Sequence, residues 1–144
     1  ILRSCEIKSA VVAEDEKEHG KRANLNYGHT FGHAIEAVTG YKKYLHGEAV
    51  GLGMCAAGFM GRNLGLVDDG FVARQRACCE AYGLPTSWDG LPVEETLAAM
   101  KKDKKVRAGT LKFVLPTGIG RVIHRTDITE KQVRAAVGAL RGGQ

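Results

Sequence analysis

Over most of its length the chain places apolar residues at the spacing of helices rather than strands. Leu2, Cys5, Ile7, Ala10, Val11 and Val12 precede the acidic run Glu14-Asp15-Glu16-Lys17-Glu18. This pattern predicts a first helix over residues 1–19, its later turns facing water or a ligand, ended at His19-Gly20. Asn24 to Val38 reads as a second helix, with Gly40 as its stop. Gly47 to Leu64 reads as a third, apolar nearly all round, which predicts a central and buried helix. Within it Gly47, Gly51, Ala57 and Gly61 fall near one another and would admit a close helical neighbour.

Asp68 or Asp69 caps a fourth helix that stops at Gly83-Leu84-Pro85, and Pro92 opens a fifth running to about Lys102. The period then shortens to that of strands. Leu111–Leu115 and Arg121–His124 read as two short strands joined by Pro116-Thr117-Gly118-Ile119-Gly120, a hairpin. Thr129 and Gln132 form a capping box for a last helix to about Leu140, followed by a frayed tail at Gly142-Gly143-Gln144. The expected fold is mainly α: residues 1–144 as a single helical domain with one small β-hairpin.

Composition narrows the functional classes. With 44% hydrophobic and 26% charged residues the chain can build a core, which excludes disorder and low complexity. No apolar run approaches the roughly 18 residues that a membrane helix needs. Lysine and arginine number 21 against 16 acidic residues, a net charge of +5. That charge suits nucleic acid, an anionic membrane surface or a small anionic substrate. Only 6% of residues are aromatic and no long basic stripe runs along the chain, which disfavours a basic nucleic-acid-binding module. Cys5, Cys55, Cys78 and Cys79 show no CxxC spacing and read as reduced thiols of a cytoplasmic protein. The chain starts at Ile1 with neither a Met nor an N-cap before Leu2, so it is expected to be a piece of a longer protein.

The chemistry concentrates in Asn26-Tyr27-Gly28-His29-Thr30-Phe31-Gly32-His33 and Leu45-His46-Gly47-Glu48. His29 and His33 are four apart and share one helix face. His46, after the loop centred on Gly40, opens the next helix, so three imidazoles can converge. Neutral imidazole is both a zinc ligand and a proton shuttle. The motif is not that of the zinc peptidases, because Thr30 stands where their general-base Glu would be. Gly28 and Gly32 are expected to leave open space beside the histidines. Lys8, Arg22 and the run Lys101-Lys102-Asp103-Lys104-Lys105 are candidate anion contacts. Their ordinary alternatives are a lysine stem laid over apolar surface and a solvated helix end.

Taken in order, Lys8, Asp15-Glu16, Glu18, Arg22, Asn26, Gly28-His29, His33-Ala34-Ile35-Glu36, His46-Gly47-Glu48 and Asp103-Lys104-Lys105 resemble the dehydroquinate synthase family over essentially the whole chain. The resemblance implies the helical C-terminal domain of a two-domain enzyme whose N-terminal domain binds NAD. It implies the shikimate-pathway cyclisation of 3-deoxy-D-arabino-heptulosonate 7-phosphate to 3-dehydroquinate with loss of phosphate. NAD⁺ is reduced and regenerated within the cycle. Carried over by residue, His29 and His46 would be metal ligands for Zn²⁺ or Co²⁺, and His33 a catalytic substrate or proton-transfer residue. Lys8, Arg22 and Asn26 would hold substrate and serve catalysis, Lys104 or Lys105 would add an anion contact, and Asp15 and Glu18 would orient these groups. The family's third metal ligand, a Glu, belongs to a preceding segment. The fragment alone is therefore expected to be inactive and to bind metal weakly. Family members are often homodimers. Other sugar phosphate cyclases, glycerol dehydrogenases and iron-dependent alcohol dehydrogenases are the related alternatives.

Overall fold

The computed structural model describes residues 1–14, 21–106 and 109–142, and of residues 22, 23 and 104–106 the backbone alone. The chain forms α1 (Leu2–Glu14), a short 3-10 helix (Lys21–Asn26), α2 (His29–Val38), α3 (His46–Asn63) and α4 (Asp69–Ala81). It continues with α5 (Val93–Val106), β1 (Phe113–Gly118), β2 (Arg121–Arg125) and α6 (Glu130–Ala139). The fold is mainly α with a single hairpin among the described residues, as its periodicity predicts.

α3 is the centre of the molecule. Ala49, Leu52, Ala56 and Ala57 are fully buried in it, and α2, α4, α6 and β1 all pack against it. A helix apolar on every side can satisfy its surface only in that position. Phe31 and Ile35 of α2, Leu115 of β1 and Leu140 beyond α6 close the core around it. The two strands pair antiparallel with Leu115 opposite Ile123, and the register shifts between Pro116 and Gly118. A proline is tolerated here because both strands of a two-stranded sheet are edges.

Several boundaries differ from the expected ones. The second helix begins at His29 rather than Asn24, because Gly28 adopts a left-handed φ of 82° that no continuous helix allows. The chain before it winds as the 3-10 helix. α5 continues to Val106, beyond Lys102, and β1 begins at Phe113 rather than Leu111. The expected end of the first helix at His19-Gly20 lies outside the described residues. α1 buries none of its residues, and Leu2 and Ile7 are exposed.

The glycines correct two expectations. Gly28 and Gly32 do not border open space: a β-carbon on Gly28 would stand 2.8 Å from the Val50 carbonyl oxygen, and one on Gly32 would stand 3.1 Å from Val50 Cα. They let the first turn of α2 lie against the backbone of α3, where Gly53 receives it. The Gly47, Gly51, Ala57, Gly61 series is not one contact stripe. Gly51 faces Leu84, Gly61 faces Pro116, and Gly47 has nothing within 4 Å.

Candidate functional site

His29 is the first residue of α2, His33 stands one turn later, and His46 is the first residue of α3. Gly28 sets the start of α2 and the close packing of α2 on α3 sets the distance between the helices. Tyr27 anchors this junction. Its hydroxyl donates to Gln75 Oε1 at 2.7 Å, while Gln75 Nε2 donates to the Met54 carbonyl at 2.5 Å. Burial pushes the Tyr27 phenol well above its usual range, so it remains a donor. At the far end of α2, the Tyr41 N–H donates to the Glu36 carbonyl at 2.9 Å, and the Thr39 hydroxyl donates to the carbonyls of Ile35 and Glu36. Glu48 accepts the Leu45 N–H at 2.8 Å and so helps fix the start of α3.

The three imidazoles converge as their spacing predicts. Ring centroids are 5.6 Å apart for His29 and His33, 5.4 Å for His29 and His46, and 6.0 Å for His33 and His46. His29 Nδ1 lies 3.3 Å from the Tyr27 carbonyl oxygen, and His46 Nδ1 lies 3.0 Å from Glu36 Oε1. Both partners are acceptors, so in the neutral rings these contacts favour the tautomer with the hydrogen on Nδ1 and the lone pair on Nε2. Two such nitrogens are the donor set a zinc ion takes from imidazoles. His33, Glu36 and His46 also offer ligand atoms that all lie within 4.8 Å of one another.

Lys8, Asn26 and His29 line one cleft of about 520 Å³ with Ser4, Ile7, Val12 and Leu25. The structure thus brings three of the sequence-predicted residues onto a single surface. His33 opens on a second cavity of about 360 Å³, shared with Thr30, Glu36, Tyr41 and Asp103. Thr30 bonds the Lys112 carbonyl at 2.7 Å and ties α2 to the approach of β1. Arg22 lies in the 3-10 helix and Lys104 and Lys105 in the last turn of α5, with their side chains outside the described residues. Asp15 and Glu18 lie outside the described residues altogether. Lys101 is not part of the cleft: it pairs with Glu130 at 2.7 Å. Helical spacing assigns no role to Glu36, which the structure buries as a carboxylate on the apolar face of α2.

Residues 1–106 match the family model described as 3-dehydroquinate synthase C-terminal. The chain belongs to that family. It is 50% identical over 122 residues to the 3-dehydroquinate synthase of Caldanaerobacter subterraneus subsp. tengcongensis, covering 85% of this chain and 34% of that protein. It is 46% identical over 142 residues to the 3-dehydroquinate synthase of Synechococcus sp. (strain CC9605), covering 99% of this chain and 38% of that protein. Among solved structures it is similar to 2-epi-5-epi-valiolone synthase from Streptomyces hygroscopicus subsp. jinggangensis 5008, a structure with NAD⁺ and Zn²⁺ bound. That match has a TM-score of 0.77 at 26% identity and covers 91% of this chain and 36% of the other. The chain therefore spans between a third and two fifths of the length of these dehydroquinate synthase relatives. No helix among the described residues is long and apolar enough to cross a membrane.

Proposed function

We propose that this chain is the metal- and substrate-binding domain of a cytoplasmic 3-dehydroquinate synthase. The whole enzyme would cyclise 3-deoxy-D-arabino-heptulosonate 7-phosphate with loss of phosphate, as a homodimer whose preceding domain holds NAD. The observation that carries the reading is the placement of His29: it belongs at once to the three-imidazole cluster and to the cleft lined by Lys8 and Asn26. A site built for an uncharged alcohol would have no use for a lysine in the cleft that holds His29.

In this reading His29 and His46 hold Zn²⁺ or Co²⁺ through Nε2, with a Glu from the preceding segment as the third ligand. The metal supplies Lewis acidity toward an alcohol and its ketone. Lys8 and Asn26 hold the substrate's anionic and hydroxyl groups, which orients the carbon to be oxidised. His33, one turn from His29, accepts and returns the proton that accompanies each change at that carbon. Arg22 and one of Lys104 and Lys105 complete the anion contacts, and Asp15 and Glu18 orient them.

The test uses the full-length protein with the heptulosonate phosphate, NAD⁺ and zinc, following phosphate release and NADH absorbance together. Phosphate release without accumulating NADH is the expected result, and His29→Ala should abolish it. NADH accumulating from glycerol or a simple alcohol, without phosphate release, would overturn the reading in favour of a dehydrogenase. The structural similarity to a valiolone synthase keeps a second cyclase reading open. Turnover of a heptulose phosphate that lacks the carboxylate would select it.

A further inference from the structure

A carboxylate withdrawn from water is costly unless it is paired or hydrogen-bonded. The Glu36 side chain is only 10% exposed, yet it sits on α2 among Phe31, Ala34 and Ile35, which bury that face. Its side chain meets His46 Nδ1 at 3.0 Å, ten residues along the chain and on another helix. His46 itself is 59% exposed at the first position of α3, where packing does little to fix a ring. The hydrogen bond to Glu36 does what packing does not. It holds the ring's direction, and it selects the tautomer in which Nδ1 carries the hydrogen and Nε2 the lone pair.

We propose that Glu36 is a positioning residue for the metal centre, accepting the Nδ1–H of His46 so that Nε2 is presented to the ion. The proposal rests on the reading of His29 and His46 as ligands. It assigns Glu36 no contact with the metal, because its nearer oxygen is engaged by His46. The plainer alternative, a pair that only stabilises the fold, leaves unexplained why a buried acid is matched to a half-solvated imidazole rather than to a buried donor.

The experiment measures Zn²⁺ affinity of the full-length protein by competition with a chromophoric chelator, and records the visible bands of its Co²⁺ form. Outer carboxylates of this kind contribute about 10- to 100-fold in metal affinity. Glu36→Ala should lose that factor, and Glu36→Gln, whose amide oxygen still accepts Nδ1–H, should recover most of it with Co²⁺ bands unchanged from the parent. Glu36→Asp, one methylene short, should fall between them and serves if the alanine variant does not fold. A lower melting temperature of the metal-free Glu36→Ala protein with unchanged zinc affinity would overturn the proposal in favour of a purely structural pair. A loss in Glu36→Gln as large as in His46→Ala, with altered Co²⁺ bands, would overturn it in favour of direct ligation. Metal binding that survives His29→Ala undiminished would instead overturn the underlying ligand assignment, and this proposal with it.

Discussion

Gly53 of α3 lies so close to the carbonyl of Gly28 that a β-carbon on Gly53 would overlap the Gly28 oxygen and stand 2.8 Å from the Gly32 nitrogen. The contact is backbone on backbone, so no side chain can swing aside to relieve it. It joins α3 to the N-terminal end of α2, whose first two turns carry His29 and His33. Gly53→Ala must part the two helices, and overpacking of this kind costs about 3 kcal/mol. Gly47→Ala is the control, since its methyl meets nothing within 4 Å. By reducing the freedom of the unfolded chain it should leave stability within about 1 kcal/mol of the parent, on the stabilising side. Denaturant unfolding of the two variants checks the pair, and similar midpoints would refute the close contact.

The N-terminal caps of α4 and α6 should behave as ordinary caps. Asp68 Oδ1 accepts the Phe71 N–H at 2.8 Å. Thr129 Oγ1 accepts the Gln132 N–H at 3.3 Å, while Gln132 Oε1 accepts the Thr129 N–H at 2.8 Å. Asp68→Ala and Thr129→Ala should each cost about 1 kcal/mol in an unfolding titration, and Asp68→Asn much less. Their effects should add, because the two caps share no hydrogen-bond partner.

These caps were legible because a cap is a local device: donor and acceptor lie within three residues. The hairpin and the convergence of His29, His33 and His46 were legible for the same reason, one from strand period and turn chemistry, the other from helical spacing across a short loop. The start of α2 was not. Asn24-Leu25-Asn26 is compatible with a helix, and what breaks it is Gly28 turning left-handed against Met54 and Val50, residues more than twenty positions away. The same distance hid the purpose of Gly32 and Gly53. Glu36 is not legible, since spacing does not reveal that a carboxylate in α2 is buried, and only its burial makes the contact with His46 informative.

Cys55 and Cys79, on α3 and α4, are buried, while Cys78 beside them is exposed. Burial is the largest cause pushing the Cys55 thiol from its ordinary 9.0 up to about 12, and it raises Cys79 as well. The thiolate is the nucleophile, so the buried pair should be inert. Alkylation of the folded protein at pH 8, mapped by mass spectrometry, should modify Cys78 and spare Cys55 and Cys79 until denaturant is added. The shift also has a sign in stability. Below pH 9 both the folded and unfolded thiols are protonated and the contribution is complete. Between about 9 and 12 the unfolded chain loses the Cys55 proton first, and stability falls by up to about 1.4 kcal/mol per pH unit on that account. Cys55→Ala should remove this share of the alkaline slope, measured by urea unfolding at pH 8 and pH 10. An unchanged slope would contradict the burial of that thiol.

Lys8 and His29 line one cleft and should fail in different ways. Lys8 reaches the cleft from α1, a helix that takes no part in the histidine cluster. Removing its ammonium deletes a charge-assisted contact to the substrate, which is worth about 1.5–3 kcal/mol. Lys8→Met in the full-length enzyme should therefore lower kcat/KM by about 10- to 100-fold with zinc content unchanged. His29→Ala should lose zinc and turnover together. Because Lys8 is exposed and α1 buries nothing within this chain, the methionine variant should melt with the parent. Zinc analysis and steady-state kinetics on the same preparations separate the two. Full activity in Lys8→Met would remove the anion contact from the proposed site, and with it the main reason to prefer a charged substrate over a neutral alcohol.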